Sequence, residues 1–269
     1  MSEPVLSRKR QGAYDAVETL ETFEAFDKHG LPAFVRGVDA EALYFFLALS
    51  RTVRTACYDN AFALCIASVF AGFTARMPNV RLRAMQADEH LFDYLREDLL
   101  DLVFFARQGL HPDIHSAALL TTPYVCLVRR GHPLSERAAA LGPLEREDLE
   151  AFPQVLINAQ PDRYRAPNSP GNGWFNPKNP DRIALVTPFF LAASLCLEET
   201  DCYAIVPKAT AELALDPRRT AMLQLSDAAP KLTVRLGWHE RTHADPGSQL
   251  IRAQLLALIQ KRFGRPAGE

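Results

Sequence analysis

From residue 52 onward, short apolar runs suited to strands alternate with longer runs of helical spacing. No other feature constrains the fold as tightly. The strand-like runs are "TVRTACY" (52–58), "VRLRAMQ" (80–86), "LDLVFFA" (100–106), "LLTTPYVCLVRRGHPL" (119–134, ending in a turn), "QVLIN" (154–158), "RIALVT" (182–187) and "CYAIVP" (202–207). Between them stand "NAFALCIASVFAGFTARM" (60–77), "EHLFDYLRED" (89–98), "LEREDLEAF" (144–152), "PFFLAASLCLEE" (188–199) and "KATAELAL" (208–215), each suited to a helix. Two more strands, "AMLQLS" and "KLTVRLGW", precede a last helix from about Pro246 to Lys261. Helices crossing between strands imply parallel sheets covered on both faces, the α/β class. Residues 159–181, rich in Pro, Asn and Gly, read as a long loop.

The first 51 residues differ in style. They offer two amphipathic runs, "YDAVETLETFEAFD" (14–27) and "DAEALYFFLALSR" (39–51, with Asp39 as N-cap), a short helical N-terminal segment. Six basic residues there face eight acidic ones, a balance of −2, and the whole chain is also −2. A free-standing nucleic-acid-binding domain is usually distinctly basic. Five cysteines form no C-x-x-C pair and read as buried reduced thiols. With no apolar run long enough for a membrane span and no secretory leader, the expected location is cytoplasmic, with no membrane partner.

One match points elsewhere. His239-Glu240-Arg241-Thr242-His243 fits H-E-x-x-H, the zinc-protease signature. That chemistry needs both histidines on one helix face, since the i, i+4 spacing aims two imidazoles at one zinc. Here His239 closes a β-like run, and Asp245 with Pro246 marks a helix beginning after the motif. The match is read as accidental, and no metal, cofactor or catalytic residue is expected. No G-x-S-x-G elbow, Walker A loop or G-x-G-x-x-G turn occurs.

Six pieces in order carry a resemblance: "RTVRTACYDNAF", "FTARMPNVRLR", "LREDLLDLVFF", "PYVCLVRRGHPL", "YAIVPKATAELA" and "LGWHERTHADPGSQLIRAQLL". Together they resemble the effector-binding (substrate-binding) region of LysR-type transcriptional regulators, most of all the nodulation and naphthalene/salicylate branch. The resemblance implies a two-lobed fold like a type 2 periplasmic binding protein, with the chain crossing near Tyr124 and Arg235. The expected division is 1–51 as the N-terminal segment, 52–124 with 235–269 as lobe I, and 125–234 as lobe II. Family members open with a winged helix-turn-helix and a linker helix. Three helices with turns and a wing already need about 50 residues. The segment before residue 52 lacks the family's Ala-Ala…Ser-x-x-[VI]-S recognition pattern, so direct DNA binding by this chain is doubtful.

The fold implies a small-molecule effector in an interlobe cleft, at strand ends where backbone N–H groups accept an anion. The candidate contacts are Tyr58, Asp59, Asn60 and Gln86 (with Asp88 beside it) from the first two turns. Phe105 and Trp238 are candidate walls, with Asn158, Thr187, Phe189 and Phe190 from lobe II. Arg241 is the best single cation for an acidic ligand. Several of these are equally ordinary as core or helix caps. The leading reading is a ligand-sensing LysR-type regulator of a small aromatic or carboxylate effector. It would act as a homodimer or homotetramer, or by pairing with a full-length relative. An enzyme using Asp59, Glu89 or His90, and a binding protein sequestering a small aromatic acid, are the alternatives.

Overall fold

The computed structural model describes residues 49–106, 110–157 and 172–266. Nearly all of the expected N-terminal helical segment therefore lies outside the described residues. In chain order the elements are β1 (Arg51–Cys57), α1 (Asp59–Cys65), α2 (Phe70–Arg76), β2 (Val80–Gln86), α3 (Leu91–Arg96), β3 (Leu102–Phe105), β4 (Ile114–Arg129), α4 (Pro133–Leu141), α5 (Arg146–Leu149) and β5 (Gln154–Ile157). They continue with α6 (Asn172–Phe175), β6 (Ile183–Thr187), β7 (Ala204–Pro207), α7 (Lys208–Ala214), β8 (Thr220–Gln224), β9 (Lys231–His239) and α8 (Pro246–Phe263). The class is α/β, as the alternation predicts.

β1 pairs in parallel with β2 and with β3, as strands joined by crossover helices must. β9 then runs antiparallel to β3, and β4 antiparallel to β9. β4 is the shared strand. Up to Pro123 it pairs with β9, and from Tyr124 onward it pairs with β7 and β8. β5 and β6 form a separate parallel pair, tied to Tyr203 by the Val155 N–H donating to its carbonyl at 2.8 Å. The sheets are thus mixed, where the crossover pattern alone predicts parallel ones. The two strands that link the lobes must run out and back, and an out-and-back pair is antiparallel.

Alternation along β4 shows why a sheet covered on both faces reads as a continuous apolar run. In lobe II, Val125 and Leu127 join Leu197, Ala204 and Val206 on one face. Cys126 and Val128 join Leu134, Leu144 and Leu149 on the other. Lobe I packs Ala56, Leu91, Leu95, Val103 and Phe105 between α3 and the sheet.

Two readings need correction. The single helix expected over 60–77 is broken at Ile66, whose φ is −117°, into α1, a 3-10 turn at Ala67–Val69 and α2. The helix expected over 188–199 is a turn followed by the 3-10 stretch Ala192–Cys196.

Candidate functional site

The lobes meet around a cavity of about 360 Å3, at the small end of the range of roughly 300–1,000 Å3 typical of ligand sites. Lobe I supplies Tyr58 at the end of β1, Asn60 in α1, Phe105 at the end of β3 and Phe92 in α3. Tyr124 comes from the crossover in β4, Leu232 and Val234 from β9, and Phe190 from the turn after β6. Phe92 meets Phe105 edge to face, with centroids 5.1 Å apart and planes at 82°, a favoured aromatic arrangement that fixes one wall. Burial pushes the Tyr124 phenol up to about 12, so it stays neutral. Burial, with the nearby Asp88 carboxylate, also raises Tyr58 above the ordinary tyrosine range. Polar lining comes from Asn60, Asp88 and Glu89. Among the described residues, no Lys, Arg or His lines the cavity.

Asp59 opens α1, and its carboxylate reaches across to lobe II. Oδ1 accepts the Phe190 N–H at 3.2 Å and Oδ2 accepts the Leu191 N–H at 3.0 Å. Oδ1 also accepts the N–H of Asn60 at 2.8 Å. Thr187 Oγ1 accepts the Phe189 N–H at 3.2 Å. It caps a turn, where the sequence suggests a long helix. The N–H groups expected to greet an effector's acid group are therefore held by the protein's own carboxylate.

Of the candidates, Tyr58, Asn60, Asp88, Phe105 and Phe190 converge on the cavity, and Asp59 bridges beside it. Phe189 does not line the cavity and is 53% exposed. Gln86 sits exposed on the edge strand β2, in register with Cys57. Asn158 lies outside the described residues. Arg241 does not face the cavity: its guanidinium donates to the Leu95 carbonyl at 3.1 Å and to Asp98 Oδ1 at 2.9 Å. It caps the carboxyl end of α3, beside Arg54, which pairs with the same Asp98. Sequence reading missed Phe92, Tyr124, Leu232 and Val234 as lining. The inferred crossing at Tyr124 was a usable signal, because crossover strands floor any cleft between lobes.

The H-E-x-x-H residues serve the strand end. His239 ends β9, and its Nδ1 accepts the Arg241 N–H at 3.0 Å. Glu240–Thr242 form a 3-10 turn, and Glu240 pairs with His115. His243 stacks on His115 with centroids 4.0 Å apart and accepts from Trp238 Nε1 at 3.1 Å. Helix α8 begins only at Pro246. No helix carries both histidines, so the spacing that would aim them at one metal is not realised.

A family model described as the LysR substrate binding domain matches residues 48–260. The chain belongs to that family. Curated relatives of this LysR domain include the HTH-type transcriptional activator NagR of Ralstonia sp, 22% identical over 80% of this chain and 69% of NagR. A second is the HTH-type transcriptional activator NahR of Pseudomonas putida, 24% identical over 63% of this chain and 54% of NahR. The chain thus spans little more than half to about two thirds of those relatives. Among solved structures, the regulatory domain of MexT from Pseudomonas aeruginosa superposes with a TM-score of 0.61 at 16% identity, covering 78% of this chain and 98% of that one. The reduced OxyR regulatory domain, also from Pseudomonas aeruginosa, gives 0.61 at 14% identity, over 79% and 98%. These likenesses carry the fold, that of a type 2 periplasmic binding protein. The matched region is a LysR-type effector-binding regulatory domain, and that membership sets the enzyme reading aside. No helix among the described residues is long and apolar enough to cross a membrane.

Proposed function

We propose that this chain is a cytoplasmic sensor that binds a small aromatic effector in the interlobe cavity and passes lobe closure to its partners, modulating transcription. The carrying observation is that Tyr58 and Phe105 from one lobe and Phe190 from the other line a single aromatic cavity. A ligand touching both lobes favours the closed arrangement by its differential affinity, which is what a sensor needs. Tyr58, Asn60, Phe105 and Phe190 are the proposed contacts, with Asp59 as the bridge between lobes. We place lobe I at 52–124 with 235–269 and lobe II at 125–234; the change of β4 partners at Tyr124 supports the first of the two crossings. The partners belong to the same proposal: a homodimer or homotetramer, or a hetero-oligomer with a full-length LysR-type regulator.

A thermal-shift screen of small aromatic compounds tests the binding role. A ligand at a hundred times its Kd stabilises by about 2.7 kcal/mol, which moves the midpoint visibly. Silence across such a library at millimolar concentration overturns the sensor.

A further inference from the structure

Among the described residues, the cavity lining has one charge character, and it is not the one an acidic effector needs. Its polar lining includes the carboxylates Asp88 and Glu89. Asp88 is fixed in place, its Oδ1 accepting the His90 N–H at 2.8 Å and its Oδ2 the Tyr94 hydroxyl at 3.0 Å. The remaining walls are π faces and aliphatic groups, chiefly Tyr58, Phe92, Phe105, Tyr124 and Phe190. Ring faces and carboxylates act in the same direction: both attract a cation and repel an anion. The backbone N–H groups of Phe190 and Leu191 that face lobe I are already paired with Asp59. An incoming carboxylate would have to displace a tethered one that is present at high effective concentration. Arg241, the cation suggested by sequence, is committed to Asp98 and Leu95.

We propose that this cavity selects small aromatic molecules carrying a protonated amine, and discriminates against aromatic carboxylates. The inference rests on the reading of this cavity as the effector site. Within it, the ring of the ligand lies among Phe92, Phe105 and Phe190, and its ammonium group faces Asp88 and Glu89. An uncharged hydroxyl at the same position falls between the two charged forms.

The test compares three probes of one shape on the full chain: benzylamine, benzyl alcohol and benzoate. Binding is followed by calorimetry, and backbone amide shifts at Tyr58, Phe105 and Phe190 locate it. The expected order of affinity is amine, alcohol, acid, with about ten-fold or more between amine and acid at low salt. Combining Asp88→Asn with Glu89→Gln should reduce the amine-to-acid ratio by about ten-fold while leaving benzyl alcohol nearly unchanged. Glu89→Gln alone, at an exposed side chain, serves if the double variant folds poorly, and should shift the ratio in the same direction. Benzoate binding as tightly as benzylamine, or a ratio indifferent to these substitutions, overturns the inference and leaves the effector cavity standing. Failure of all three probes to perturb the cavity amides overturns the inference and the proposed cavity together.

Discussion

Gly237 shows how closely the cavity wall is fitted. A Cβ added there would lie 2.7 Å from Phe105 Cε1 and 3.0 Å from Val103 Cγ2. A ring is rigid, so the Phe105 side chain must be displaced from the wall it forms with Phe92. Overpacking of this kind costs roughly 1–3 kcal/mol. Gly237→Ala is expected to lower unfolding stability by about that amount and to weaken any cavity ligand by at least about ten-fold. Unchanged affinity in a calorimetric titration would show that Phe105 does not contact the ligand. Residues at strand ends were the legible part of the site, because strand ends face the cleft in this fold. Tyr58, Asn60, Phe105 and Phe190 follow from that rule, and each lines the cavity. Arg241 was misplaced because sequence shows a charge but not its partner, and Asp98 lies 143 positions away.

At the scale of elements, local chemistry set the legible boundaries. Helix α8 begins where Asp245 and Pro246 predict. Asp245 accepts the Ser248 N–H at 2.8 Å and pairs with Arg51 at 2.6 Å. Those contacts, first with the Arg51 guanidinium and then with Ser248, hold its carboxyl down to about 2, from an ordinary 3.8. A carboxylate with a lowered folded pKa stabilises above its unfolded value and loses that contribution as pH falls through the folded one. Asp245→Ala should therefore cost about 1 kcal/mol near neutral pH, as lost helix caps do. Denaturant titrations should show the gap from wild type narrowing below pH 3.8 and closing near pH 2. A gap constant across that range would assign the loss to something other than the cap's charge. Elements depending on distant partners were less legible. β4 begins at Ile114, although "IHSAA" carries little strand signal, because it pairs with β9 more than a hundred residues later. The 188–199 run, periodic enough for a helix, forms a turn and then the 3-10 stretch Ala192–Cys196.

For the molecule as a whole, two lobes joined by two strands can open unless something else ties them, and one tie visible here is Asp59, beside the Ala209 N–H that donates to Thr122 Oγ1 at 3.1 Å. Its carboxylate makes two charge-assisted hydrogen bonds to the opposite lobe, the stronger class of such bonds. This contact resembles what a sensor's ligand is expected to do: it joins a side chain of one lobe to backbone N–H groups of the other. Asp59→Ala removes the tie without touching either core. The variant is expected to lose about 1–3 kcal/mol of stability and to populate more open arrangements. Small-angle scattering would register these as a larger radius of gyration at equal concentration, and a cavity ligand should reverse the change. Scattering curves that superpose for wild type and variant would mean that packing of the shared strands, rather than Asp59, sets the angle between the lobes.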